Sequence, residues 1–233
     1  MELGPLVADF KPPPHPRGIS LDRKLVQLVP MKAEEHAEAL FEANQLDTEG
    51  TNWAYLPYGP FADLKSYHSW VRENQGLEDP VFLAIVEKES GRPLGIASYL
   101  RIHPAEGSIE VGHIHFSPLL QRTTSATESM FLMMQWAFEA GYRRYEWKCN
   151  ALNQASRRAA QRLGFSFEGI FRQMMIVKGR NRDTAWFAAI DSEWPALKTA
   201  FERYLDEKNF DEEGKPVTSL SSLTTPLLHK KYV

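Results

Sequence analysis

A single cysteine in 233 residues rules out an intrachain disulfide and any thiol cluster for a metal. That residue, Cys149, falls late in an apolar strand, where a free thiol is usually a small core residue and not a nucleophile. No apolar run approaches the roughly 18 residues a membrane span needs, and the N-terminus lacks the basic-then-apolar layout of a secretory signal. The expected compartment is the cytoplasm, with no membrane partner. A basic excess is missing too. The chain has 27 Lys and Arg against 30 Asp and Glu, net -3, so general nucleic-acid affinity would need a local basic patch.

The remaining composition is plain and globular: 43% hydrophobic and 24% charged, enough for one domain with a full core. Pro5, Pro12, Pro13, Pro14 and Pro16 make residues 1–22 an extended, proline-rich arm, lying on the domain or loose in solvent. Asp211 to Pro216 and the Ser/Thr run after it mark residues 207–233 as a polar tail, in which Pro226-Leu227-Leu228 could dock. The folded domain is left as residues 23–206.

Hydrophobic periodicity places a strand at Val26–Met31, a helix at Ala33–Asn44 and a second helix from about Phe61 to Gln75, with the aromatic loop Thr51–Pro60 between the helices. Strands follow at Val81–Glu87, Gly95–Ile102 and Ile109–Phe116. A long helix spans Ser125–Ala140, and the strand Tyr145–Cys149 comes next. The stretch 150–169 is the most informative: strand end, helix, glycine stop, strand. Asn153 suits an N-cap, Ala155, Ala159, Ala160 and Leu163 form one small apolar face, and Gly164 ends the helix. Strands at Phe165–Val177 and Thr184–Ile190 and a helix from Trp194 close the domain. The sum is an α+β fold with a mixed, mostly antiparallel sheet of about six to seven strands and helices on both faces. A doubly wound parallel domain would alternate strand and helix throughout, and is excluded.

Asn153-x-x-Ser156 followed by Leu-Gly-Phe and Glu-Gly resembles the second half of the acetyl-CoA site of the GNAT acyltransferases, and most closely the branch of the ribosomal-protein N-terminal acetyltransferases. The resemblance covers roughly Leu25 to Pro195 and implies acetyl-CoA as cofactor. Its pyrophosphate site is expected where Ser117–Thr127 leads into the long helix, since free N–H groups and the positive helix end converge there. The family pattern Gln/Arg-x-x-Gly-x-Gly/Ala aligns with Gln121, Arg122, Thr123, Thr124, Ser125 and Ala126, but Arg122 and Thr124 stand where glycine is usual. Without glycine the amides are expected in ordinary helical geometry, with hydroxyls and the Arg122 guanidinium as added donors.

Within the resemblance, backbone groups around Ile114, His115 and Phe116 would face the acetyl carbonyl, Asn153 would hold the pantetheine arm, and Ser156 would sit near the thiol, giving the departing thiolate a proton or a hydrogen bond, unless it is only a small residue packed against the sheet. Two readings of Asn153 stand, pantetheine ligand or simple helix cap. The tyrosine many such enzymes carry on this helix is missing, so Ser156 or water is expected to substitute. Strict alternation puts Glu110, Gly112, Ile114 and Phe116 on one face of their strand and His113 with His115 on the other. Glu110 is the first candidate base, with a structural role as the equal alternative, ahead of His113 and His115, which suit hydrogen-bonded structure; Glu168 and Asp183 are further carboxylates, and Asp183 suits a salt-bridged turn. Trp53, Tyr55, Leu56, Pro57 and Tyr58 are costly to expose, so they either cap the core or line the acceptor pocket. Asp47 or Glu49 could attract a cationic amine. The expected function is N-acetyl transfer to a small-molecule amine by direct attack in a ternary complex. A protein N-terminus as acceptor, and a non-catalytic acyl-CoA sensor, are the alternatives. A homodimer is a family habit that no residue here signals.

Overall fold

The computed structural model describes every residue except Glu2 and Val233. Eight strands form one sheet in the order β1-β2-β3-β4-β5-β6-β8-β7. They are β1 Leu21–Asp22, β2 Val26–Pro30, β3 Val81–Glu87, β4 Pro93–His103, β5 Ser108–Phe116, β6 Arg144–Asn150, β7 Ser166–Val177 and β8 Arg180–Ile190. All neighbours are antiparallel except β5 and β6. The two-residue β1 is the strand beyond the six or seven expected.

Helices cover both faces. On one side α1 (Ala33–Asn44) and α2 (Leu64–Asn74) enclose a small core of Leu40, Trp53, Tyr67, Val71, Phe82 and Ile96. On the other, α3 (Thr124–Glu139), α4 (Gln154–Arg162), α5 (Trp194–Leu205) and α6 (Leu220–Thr224) pack over the larger core around Phe131, Tyr145, Phe187 and Phe201. The second helix starts at Leu64 and not at Phe61. Asp63 caps it through the Ser66 N–H at 2.7 Å, with the Ser66 hydroxyl reaching back in a capping box. In α4, Ala160 and Leu163 are buried, whereas Ala155, expected on the same apolar face, is exposed.

Both flanking segments touch the domain, at Pro14 and at residues 220–230. The Tyr142 hydroxyl donates to the Pro14 carbonyl at 3.1 Å. At the other end Leu220 and Thr224 are buried, and the Phe167 N–H donates to the Lys230 carbonyl at 2.9 Å. No helix of the described residues is long and apolar enough to cross a membrane.

Candidate active site

The parallel ladder between β5 and β6 runs from Ser108↔Arg144 to Val111↔Trp147 and stops. Both strands continue, β5 to Phe116 and β6 to Asn150, so they part, and β5 from Gly112 onward has an unpaired edge facing β6. His113, at φ 50°, marks the place. Its strand pairs Ile96↔His115 and then Ser98↔Gly112, an extra residue on β5 and hence a β-bulge. The bulge overturns the strict alternation expected of this strand. Ile114 and Phe116 turn with Ile109 and Val111 to the large core. Glu110, His113 and His115 share the opposite face, where His113 and His115 stack on Tyr58 and Trp53.

At the end of β5 lies the loop into α3. Arg122 adopts φ 62°, the left-handed conformation that glycine takes easily. The arginine backbone thus makes a glycine-type turn itself, Thr123 is extended, and Thr124, Ser125 and Ala126 present their amides in the first turn of α3, in the helical geometry expected without glycine. Thr123 caps α3, its hydroxyl accepting from the Ala126 N–H at 3.0 Å. The N–H groups of Arg122, Thr124 and Ser125 make no hydrogen bond among the described residues, leaving three donors at a helix N-terminus. That donor set fits a pyrophosphate. The Gln121 side chain is committed inward, donating to Asn52 Oδ1 at 2.8 Å and to the Phe116 carbonyl at 2.9 Å. Its contribution is to tie the loop to the aromatic segment.

Across the cleft, Asn153 Oδ1 caps α4 by accepting from the Ser156 N–H at 3.0 Å, and its Nδ2 has no partner among the described residues. The Trp147 indole donates to Ser156 Oγ at 3.0 Å, so the hydroxyl proton of Ser156 is directed elsewhere. Cys149 lies close by and is buried, which pushes its thiol pKa up and away from nucleophilic use.

A family model described as an acetyltransferase (GNAT) domain matches residues 26–166. The chain belongs to the GNAT family. A GCN5-related N-acetyltransferase from Brucella melitensis is 43% identical, with a TM-score of 0.91 over 94% of this chain and 99% of that one. A probable GNAT-family acetyltransferase from Chromobacterium violaceum is 41% identical, with a TM-score of 0.78 over 84% and 98%. RimL, a ribosomal L7/L12 alpha-N-protein acetyltransferase, has a TM-score of 0.60 at 20% identity over 74% and 94%, a likeness of fold alone. No curated protein matches the sequence.

The other wall of this GNAT cleft is built by the aromatic loop. Trp53 is a core side chain, 5% exposed, with one ring face 3.7 Å from His115. Tyr58 packs at a tilt against Trp70 and stacks on His113, and its hydroxyl lies 3.3 Å from His113 Nδ1. Tyr55 is half exposed and donates to the Leu152 carbonyl at 3.3 Å, bridging to the turn before α4. Asp47, expected to attract an amine, instead accepts from the Thr51 hydroxyl at 3.0 Å and the Asn52 N–H at 2.8 Å, capping the turn at 51–53. Glu49 is exposed on the same loop. From the opposite side the β7–β8 hairpin reaches over. Lys178 at its tip donates to the carbonyls of Trp53 at 3.0 Å and Gly59 at 2.7 Å. The aromatic loop is thus tied twice, to the turn before α4 and to the hairpin tip.

The floor carries charge. Glu110 is 2% exposed; Arg101 Nη1 lies 2.8 Å from both its oxygens and Lys148 Nζ is 2.9 Å from Oε2. Burial pushes the Glu110 carboxyl up, against the pull of Lys148 and Arg101. Lys148 also meets Glu146 at 2.7 Å, and Arg144 links Glu146 to Glu168. Burial holds His113 and His115 neutral, with pKa values down at about 4. Asp183 forms no ion pair among the described residues; it accepts from the Gln173 N–H at 2.7 Å and Asn181 Nδ2 at 3.0 Å within the hairpin. Sequence reasoning missed Arg101, Lys148, Arg182, Thr184 and Trp186. For Lys148 a signal existed: Arg144, Glu146 and Lys148 alternate with Tyr145, Trp147 and Cys149 in a central strand.

Proposed function

We propose that this GNAT enzyme moves an acetyl group from acetyl-CoA to the primary amine of a small molecule, by direct attack in a ternary complex. The observation that carries the acceptor class is the double strap: Lys178 bonded to the Trp53 and Gly59 carbonyls, and Tyr55 to Leu152. An aromatic loop tied down from two sides favours a small amine over the terminus of a folded protein. When bound, acetyl-CoA supplies an acetyl group activated as a thioester.

This chain's own residues do the rest. The free amides of Arg122, Thr124 and Ser125, with the Arg122 guanidinium, hold the phosphates. Asn153 Nδ2 donates to the pantetheine arm, and the unpaired β5 edge around Ile114–Phe116 orients the acetyl carbonyl. An aliphatic amine has a pKa near 10.4, so it must lose a proton before it attacks. Glu110 takes that proton: its carboxyl sits beside Gly112, at the first unpaired residue of β5, and burial makes it more basic than an ordinary carboxylate. Ser156, held by Trp147, gives its hydroxyl proton to the departing thiolate.

Calorimetric titration of acetyl-CoA into the wild type and an Arg122→Ala/Thr124→Ala variant tests the cofactor half. Micromolar binding weakened about tenfold or more in the variant is expected, from the loss of charge-assisted bonds. A panel of small amines and N-terminal peptides tests the other half. Turnover confined to peptides sinks the small-molecule reading, and binding without turnover of any amine leaves a sensor.

A further inference from the structure

Arg182 stands outside the ion-pair network of the cleft floor. Arg101, Arg144 and Lys148 are matched by Glu110, Glu146 and Glu168 in a continuous ion-pair network across β4, β5, β6 and β7. Arg182, on β8, has no carboxylate within ion-pair distance among the described residues, and its Nε is buried without a hydrogen-bond partner. The register places it two residues past the Asn150↔Thr184 pair that ends β6, on the side where β5 and β6 part.

Arg182 is not alone. Residues 182, 184 and 186 fall on one face of β8, the face on which Trp186 packs under Lys148 Nζ at 3.8 Å. Thr184 Oγ1 and Trp186 Nε1 are also buried and unpartnered, and Thr184 is only 2% exposed. Three successive same-face positions thus present donors with nothing to donate to. A buried donor left unsatisfied is costly, so a row of them points to a ligand rich in acceptor atoms. The charged member of the row is a guanidinium, which matches a planar or tetrahedral oxyanion.

We propose that Arg182, Thr184 and Trp186 bind an oxyanion, carboxylate or phosphate, carried by the acceptor itself. The substrate class is then an amine that is also an acid, and polycationic amines are disfavoured by the same guanidinium charge. This rests on the reading of the cleft as an amine site.

The test pairs amines that differ in their acid group: the twenty amino acids and O-phosphoethanolamine on one side, amino-acid amides and spermidine on the other. Each set is titrated against the CoA-saturated protein by tryptophan fluorescence and offered with acetyl-CoA for turnover. An acid arm should bind and react with about a tenfold or greater preference over its uncharged partners, and whichever arm responds names the oxyanion. Arg182→Gln should raise KM for that arm by roughly 10- to 100-fold and leave the acetyl-CoA Kd unchanged, with partial recovery in Arg182→Lys. Amides or spermidine binding as well as the acids would overturn the proposal. So would an Arg182→Gln variant that loses acetyl-CoA affinity, because the donors would then serve the cofactor. Arg182-dependent binding of acids without acetylation of any amine would uphold the oxyanion site and sink the transferase reading.

Discussion

Glu110, the proposed base, would be structural and reactive together. Its carboxylate is clamped by Arg101 and Lys148, yet it sits at the residue where β5 loses its partner. Burial raises its pKa while the two cations oppose the shift. As a base it must be ionised, so the rate falls as pH drops through its pKa, and the acid limb of kcat/KM is expected above the ordinary carboxylate range. Glu110→Gln should lower kcat by about 100-fold and remove that limb. A variant that keeps the limb assigns the base elsewhere. Ser156 makes a separate demand. Because it accepts from Trp147 Nε1, its own proton is free for the thiolate. Ser156→Ala should lower kcat by about tenfold or more with the acetyl-CoA Kd unchanged, and the loss should shrink with thioesters whose thiols are more acidic. A cofactor affinity that falls in step with kcat would make Ser156 a binding group only.

At the scale of elements, the hairpin tip is the clearest lever. Lys178 and Gly179, at φ 50° and 72°, form the two-residue turn between β7 and β8, and the lysine reaches the aromatic loop from there. Lys178→Met keeps the stem and removes the two bonds. KM for the amine should rise by up to about 30-fold, from about 1 kcal/mol for each of the two lost hydrogen bonds, while acetyl-CoA binding stays as it is. An unchanged KM means the strap does not order the acceptor site. The order of elements, the α4 cap at Asn153 and the glycine stop at Gly164 were legible in the sequence because they depend on local periodicity and cap chemistry. The faces of β5 were not. A bulge is set by pairing with β4, and nothing in Gly112-His113-Ile114 announces it. The Arg122 turn was hidden for a like reason: a left-handed arginine is disfavoured on its own and is held there by the bonds around it. The β8 donors escaped notice because Arg182, Thr184 and Trp186 gain meaning only when their partners turn out to be missing.

For the whole molecule, the two cleft histidines couple the site to stability. His113 and His115 have pKa values pushed down from 6.5 to about 4, chiefly by burial; Arg101 and Arg182 add to the shift at His113, while Asp47 opposes it at His115. In the unfolded chain both would protonate near 6.5, so between about 6.5 and 4 the unfolded state binds more protons than the folded one. Stability is therefore full above about pH 6.5 and is lost as pH falls towards 4. His36 is shifted the same way by burial, while Glu110, raised by burial, works against the trend. Linkage gives about 2 kcal/mol per cleft histidine between pH 7.5 and pH 5. His115→Gln separates this from packing. The variant loses the stacking on Trp53 at every pH, so its stability at pH 7.5 is lower. But its decline from pH 7.5 to pH 5, read from urea unfolding, should be smaller than the wild type's by about 2 kcal/mol. Parallel pH curves for the two proteins would mean that His115 titrates normally in the folded state. In that case the cleft floor is wetter than its packing implies, and the low basicity assigned to the histidines, which leaves Glu110 as the base, falls with it.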